Sequence, residues 1–353
     1  MATIRVLVVD DSLTVRRRLV EVIAAAPGFD VVGEAGDGHE AVRLCRDLRP
    51  DVVTLDLMLP GLSGLEVTEQ IMAFCPTPIL VVSSAANRGT RVETYQALAA
   101  GAVDALDKAD ALDGAWSRQL VARLRLVSRI KVITHPRARL RPSPPAAPAP
   151  GAASAAGAYA LVAIGASTGG PGAIVQLLRQ LPPDFRLPIL LVLHLGEPFG
   201  PAFAEWLAGQ SALPVAEARD GMALPDSGAP GIIWAPPGRH LAVSPGRLRL
   251  TDAAERHACR PSVDVLFESV AATFGPRAIG CLLTGMGRDG AAGLLAMRRA
   301  GAATIAQDEA TSVVWGMPRE AVRLGAAGAV LPLSRIGPAI QALAAGRFPE
   351  ISS

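Results

Sequence analysis

The sequence predicts an α/β protein: two doubly wound parallel-sheet domains, a (βα)5 unit and a larger α/β unit, joined by a Pro/Ala-rich linker. Three observations carry this. Short apolar, β-branched runs alternate with helix-length segments in both halves of the 353 residues, the pattern of strands covered by helices on both faces. Composition breaks once, at 136–158, where 15 of 23 residues are Pro or Ala and none is acidic, as in an extended, semi-rigid spacer. Acids, hydroxyls and glycines stand just past the apolar runs, where an open parallel sheet carries its functional groups. The expected domains are 1–131 and 159–348, with the linker at 132–158.

In chain order, the first half reads as strands at 4–9, 30–34, 51–55, 78–82 and 102–106, with helices between them. A closing helix is expected over 119–131, because Leu120, Val121, Leu124, Val127 and Ile130 recur on one helical face. Arg118, Arg123, Arg125 and Arg129 fall largely off that face and read as a solvated basic side. The second half reads as strands at 160–164, 189–193, 231–235, 277–283, 303–306 and 328–331.

Composition excludes several classes. Lys+Arg minus Asp+Glu is 34 − 32 = +2, so neither nucleic acid nor an anionic membrane is the expected partner. Aromatic residues make up 4%, too few for base-stacking platforms. No apolar run approaches the ~18–20 residues of a membrane span, and the first residues lack the signature of a signal peptide. A cytoplasmic protein without membrane insertion is expected. Cys45, Cys75, Cys259 and Cys281 form no C-x-x-C pair and read as buried or partly buried thiols.

Asp10 and Asp11 end the first strand, Asp56 the third and Ser83 the fourth, while Lys108 follows the fifth. Three carboxylates converging on one edge repel one another unless a cation neutralises them, and hard oxygen donors suit Mg²⁺. A Lys and a hydroxyl beside them would stabilise a phosphoryl group carried by one carboxylate. With Asp56-Leu-Met-Leu-Pro-Gly-Leu-Ser-Gly64, Val82-Ser-Ser84 and Gly101-Ala-Val-Asp104, residues 4–127 resemble the receiver domain of bacterial response regulators. That resemblance implies Asp56 as phospho-acceptor, Asp10, Asp11 and Asp56 as the Mg²⁺ site, Ser83 as switch hydroxyl and Lys108 as phosphate partner. Two positions depart from the family: Ala105 stands where an aromatic switch residue is frequent, and Ala109 where a proline usually follows the lysine.

In the second half, Gly165-Ala-Ser167-Thr-Gly169 fits the G-x-S-x-G turn that lifts a serine onto a strand-to-helix corner. His194 directly follows the apolar run at 189–193, at the sheet edge expected to hold Ser167 and Asp289. His240 lies in a Pro/Gly-rich turn, and His257 in a charged stretch far from any clear strand end. Gly285-Met-Gly287-Arg-Asp289-Gly290 also fits a dinucleotide fingerprint, with Asp308 and Glu309 about 20 residues on. Against that reading, Asp289 would face the pyrophosphate, and the turn lies late in its domain.

Ile164-Gly-Ala-Ser-Thr-Gly-Gly-Pro171, Ala235-Pro-Pro-Gly-Arg-His-Leu241, Cys259-Arg-Pro-Ser-Val-Asp-Val-Leu-Phe267, Leu283-Thr-Gly-Met-Gly-Arg-Asp-Gly-Ala291 and the stretch from Ala306 to Pro318 resemble the catalytic domain of the chemotaxis protein-glutamate methylesterase (CheB) family. The resemblance implies Ser167 as nucleophile, His194 as base and Asp289 as its orienter, with backbone N–H groups near Thr168 and Met286 forming an oxyanion site. It implies hydrolysis of glutamate γ-methyl esters on methyl-accepting chemotaxis receptors, deamidation of receptor glutamines, a histidine kinase as phosphodonor and no cofactor for the ester reaction. It also implies an unphosphorylated receiver that restrains the esterase. Beside the base, Leu193-His194-Leu-Gly196 departs from the family's frequent Gln-His-Met-Pro.

Overall fold

The computed structural model describes residues 3–84, 88–108, 114–130, 132, 159–195, 200–224 and 231–347. Ala109 and the expected spacer at 136–158 lie outside the described residues. The chain divides into two compact units, Met1–Pro144 and Pro145–Ser353.

The first unit alternates β1 (Ile4–Val9), α1 (Leu13–Ala24), β2 (Phe29–Ala35), α2 (Gly38–Leu48), β3 (Val52–Leu55), α3 (Gly64–Phe74), β4 (Ile79–Ser83), α4 (Arg88–Ala100), β5 (Asp104–Asp107) and α5 (Gly114–Val127). Its strands pair in parallel in the order β2-β1-β3-β4-β5. The order reverses at β1 and β3, so a crevice opens beyond their carboxyl ends. Local chemistry starts the helices there: the Ser12, Asp37 and Ser63 side chains accept N–H bonds at the heads of α1, α2 and α3. Helix α5 begins before the expected residue 119, because Trp116 is buried and its Nε1–H donates to Asp107 O at 2.6 Å. Arg123 is not on a solvated face; its Nη1 reaches Asp104 Oδ2 and Ala105 O, both at 2.8 Å.

The second unit contains β6 (Leu161–Ala166), α6 (Gly170–Leu178), β7 (Ile189–Leu193), α7 (Gly200–Ala208), β8 (Val215–Glu217), β9 (Ile232–Trp234), β10 (His240–Ser244), β11 (Arg247–Thr251), α8 (Val263–Phe274), β12 (Ala278–Leu282), α9 (Ala291–Arg299), β13 (Ala303–Gln307), α10 (Met317–Arg323), β14 (Ala329–Leu331) and α11 (Leu333–Ala344). Seven strands pair in parallel in the order β14-β13-β12-β6-β7-β9-β8. After β6 the chain builds outward on one side, then returns to lay β12 on the other. That reversal makes β6 the switch point. The return passes through an antiparallel hairpin, β10–β11, that the sequence reading left as a turn. Leu248 and Leu250 are buried there while Arg247, Arg249 and Thr251 are exposed, a two-residue alternation written in Arg-Leu-Arg-Leu-Thr.

Candidate functional site

In the first unit, one cation and three acids meet in the crevice. Lys108 Nζ lies 2.6 Å from Asp10 Oδ2 and 2.8 Å from Asp56 Oδ2. Ser83 Oγ and the Leu57 N–H both donate to Asp56 Oδ1 at 2.8 Å. Asp11 is exposed, and carboxylate oxygens of Asp10, Asp11 and Asp56 lie within 4.8 Å of one another. Burial pushes the Asp10 carboxyl above its usual range, against the pull of Lys108. Every residue expected here is present, and the hard, partly buried oxygen set fits a divalent cation such as Mg²⁺.

In the second unit, the site forms over three adjacent strand ends. Ser167 follows β6, His194 follows β7, and Asp289 lies in the loop from β12 to α9. The His194 N–H donates to Ala166 O at 3.2 Å and the Ser167 N–H to Thr284 O at 3.0 Å, which stitches the ends together. Ser167 and His194 thus directly follow paired ends of neighbouring strands, Ala166 on β6 opposite Leu193 on β7. The turn behind Ser167 needs glycine twice. Gly169 has φ +76°, a left-handed conformation that caps α6. A Cβ on Gly165 would come 2.2 Å from Val263 Cγ1, so only glycine admits the head of α8 this close.

That head explains Asp289. The carboxylate is 1% exposed and accepts from Ser262 Oγ (2.7 Å), Val263 N–H (2.7 Å) and Asp264 N–H (3.1 Å), all at the amino end of α8. Free N–H groups and the positive helix end favour a buried anion there. Burial raises its pKa, but His194, Ser262 and Val263 outweigh that and hold it below the usual carboxylate range. Asp289 Oδ2 meets His194 Nε2 at 2.9 Å. Since the carboxylate only accepts, the proton on this edge of the ring is assigned to Nε2.

The other ring nitrogen, Nδ1, lies 3.6 Å from Cys259 Sγ. Burial alone would lower the His194 pKa, yet the Asp289 and Cys259 interactions together raise it to about 9. Among the described residues, the Ser167 hydroxyl has no hydrogen-bond partner, and neither do the Thr168 and Met286 N–H groups expected to hold an oxyanion. Gly285 packs directly on Ser167, where an added Cβ would approach its Cβ to 2.8 Å.

The other histidines stand apart from this role. His240 begins a buried strand rather than a turn; its Nδ1 accepts the Ser262 N–H at 3.1 Å and Nε2 meets Ala254 O at 3.1 Å. His257, in its charged stretch away from the strand ends, nonetheless folds back to the site. Its Nε2 lies 3.2 Å from Asp264 Oδ2, and its Nδ1 accepts from Arg288 Nε at 3.2 Å, next to Asp289. Asp308, the acid of the rival dinucleotide reading, is tied to Thr311 N–H and Oγ1 at 3.0 and 2.6 Å. Sequence reasoning assigned no part to Ser262, Asp264 or Cys259. Ser262 carries a visible helix-cap signal, but nothing local says that it reaches residue 289.

The two strand-edge constellations define a receiver–effector enzyme, with an acid-and-lysine crevice in one unit and a Ser/His/Asp edge in the other. Residues 162–340 match the CheB methylesterase family, and residues 6–114 match the response regulator receiver domain. Protein-glutamate methylesterase/protein-glutamine glutaminase 2 of Anaeromyxobacter dehalogenans is 47% identical over 96% of this chain and 97% of its own. The corresponding protein 1 of Xanthomonas campestris pv. campestris is 43% identical over 97% of this chain and 98% of its own. Among solved structures, the Thermotoga maritima CheB methylesterase catalytic domain is 33% identical, with a TM-score of 0.49 over 52% of this chain and 98% of that one. The chain belongs to the CheB methylesterase family and carries a receiver domain ahead of the methylesterase domain.

Proposed function

We propose that this protein hydrolyses glutamate γ-methyl esters on methyl-accepting chemotaxis receptors, deamidates receptor glutamines at the same site, and is activated by phosphorylation of Asp56. The observation that carries the reading is the His194–Asp289 pair at 2.9 Å, with His194 following β7 at the strand end paired with the one that Ser167 follows.

Asp289 holds the Nε2–H edge of His194 and balances the charge when the ring is protonated. Nδ1 is the nitrogen left to take the proton of Ser167 as its oxygen attacks the ester carbonyl. The Thr168 and Met286 N–H groups receive the developing oxyanion. His194 returns the proton to the leaving methoxide, releasing methanol, and water repeats the sequence on the acyl-enzyme to give glutamate. From a glutamine side chain the same steps release ammonia. No cofactor enters this scheme.

In the receiver, Asp56 is the phospho-acceptor, Lys108 pairs with the phosphoryl oxygens, and Ser83 turns from Asp56 toward them. Asp10, Asp11 and Asp56 would hold Mg²⁺, which would supply charge neutralisation for a phosphoryl group. A chemotaxis histidine kinase is the phosphodonor, and residues 132–158 link the two domains. No helix among the described residues is long and apolar enough to cross a membrane; we assign the protein to the cytoplasm. The deciding experiment is methanol release from methylated receptor membranes, with and without a small phosphodonor. Release that requires Ser167 and increases with the donor supports the reading; no release in either condition overturns it.

A further inference from the structure

His194 is shared. Its Nε2 is held by Asp289 at 2.9 Å, and its Nδ1 faces a sulfur at 3.6 Å. Cys259, His194 and Asp289 therefore form a thiol–imidazole–carboxylate relay crossing the serine site. Cys259 is partly exposed, whereas Cys45, Cys75 and Cys281 are buried. A thiol next to an imidazole nitrogen and open to solvent has the surroundings of a reactive cysteine rather than a structural one. The segment that carries it packs onto the head of α8: Cys259 Sγ also approaches His257 O at 3.4 Å, and Ser262, three residues on, binds Asp289. The sulfur is thus held in register with the base.

We propose that Cys259 is a covalent modification site of this enzyme: a second nucleophile drawing on the His194–Asp289 pair, open to small electrophiles and above all hydroperoxides, whose oxidation stops the esterase. In the oxidation, the thiol proton passes to Nδ1 and sulfur attacks one peroxide oxygen. An S–O bond forms, the O–O bond breaks, and the leaving hydroxide, or the alkoxide of an organic hydroperoxide, takes the proton back as water or an alcohol. Sulfur loses two electrons to become a sulfenic acid while the peroxide is reduced. The added oxygen then stands between the sulfur and Nδ1, where the Ser167 proton has to arrive. An external thiol reverses the change through a mixed disulfide. The loss of esterase activity rests on reading His194 as the base for Ser167; the reactivity of the thiol does not.

The test uses the full-length protein. Iodoacetamide alkylation of each cysteine is followed by peptide mass spectrometry. Cys259 should react about tenfold or more faster than glutathione, and about tenfold slower once His194→Gln removes the ring. In Ser167→Ala, which removes the esterase reaction, the fast alkylation should persist. Separately, hydrogen peroxide should abolish methanol release by the wild type and a thiol reductant should restore it. Cys259→Ala should keep whatever rate it has before treatment. If wild-type Cys259 reacts no faster than glutathione, or equally fast in a folded His194→Gln variant, the relay does not activate it and the proposal fails. Peroxide inactivation of Cys259→Ala as complete as that of the wild type would also overturn it.

Discussion

In the proposed mechanism two demands meet on the His194 ring: to accept a proton from Ser167 and to stay oriented by Asp289. Removing either end of the Ser167–His194 unit removes the whole unit, so Ser167→Ala and His194→Ala should each lower methanol release by ~10⁴-fold or more. Circular dichroism and thermal unfolding of Ser167→Ala should match the wild type, since Ser167 makes no side-chain hydrogen bond that the fold needs, whereas His194→Ala takes a partner from buried Asp289 and should unfold more readily. A folded Ser167→Ala variant with most of its activity would remove Ser167 from the nucleophile role.

The titration of His194 gives a second prediction at this scale. The ring must be neutral to act as base, and its pKa is raised from 6.5 to about 9. Measured kcat/KM should therefore rise about tenfold per pH unit below that value and level off above it. Cys259→Ala removes part of the upward pull, so the rising limb should move to lower pH. The sign for stability runs the other way. The protonated ring is favoured in the fold, so its contribution is complete below about 6.5 and is lost as pH rises through about 9. A pH series of thermal unfolding reads that loss directly.

Among the elements, α8 does more than cover the sheet. Its cap residue Ser262 accepts from the Val265 N–H at 3.5 Å and donates to Asp289 at 2.7 Å. Ser262→Ala loses the cap and leaves a buried carboxylate short of one donor, which should cost about 1–3 kcal/mol of stability. Because Asp289 loses support, kcat should fall as well, and Ser262→Thr should recover part of both. Urea unfolding and methanol release on the same samples separate the two effects. Elements also show where the sequence was hard to read. The βα repeats were legible because fully buried parallel strands are continuous apolar runs. The β10–β11 hairpin was not read, although β11 alternates, because the Pro/Gly-rich stretch ahead of it looked like a turn and only packing buries His240.

For the whole molecule, the prediction concerns coupling between two units that each have their own sheet. Asp56→Asn should block phosphoryl labelling from a small donor, and removing Mg²⁺ should block it in the wild type, because three acids must be neutralised before an anion approaches. If phosphorylation acts by shifting a restrained–released equilibrium, a released population of ~1% at rest limits activation to ~100-fold. Deleting residues 1–140 should then give a donor-independent esterase with the rate of the fully released state. A truncated protein no faster than the unphosphorylated full chain would instead make the receiver a direct stimulator. Ala105, whose carbonyl is tied to Arg123 at 2.8 Å, lacks the aromatic ring many receivers move, so any signal leaving β5 must use other side chains.

What the sequence determined by itself was everything set by short range or by strand ends: the α/β class, the two units, and the positions of Asp10, Asp56, Ser83, Lys108, Ser167 and His194. Parallel sheets make that possible, because each candidate residue sits one to three positions past a readable apolar run. What only the tertiary structure decided lies across long loops. Asp289 is held by residues 262–264, His257 returns to Asp264 and Arg288, and Cys259 reaches the Nδ1 face of His194. These contacts join segments whose separation along the chain follows no period. They exist because β12 returns beside β6 and the glycine at 165 lets α8 approach, and that closeness comes from packing that no local pattern encodes.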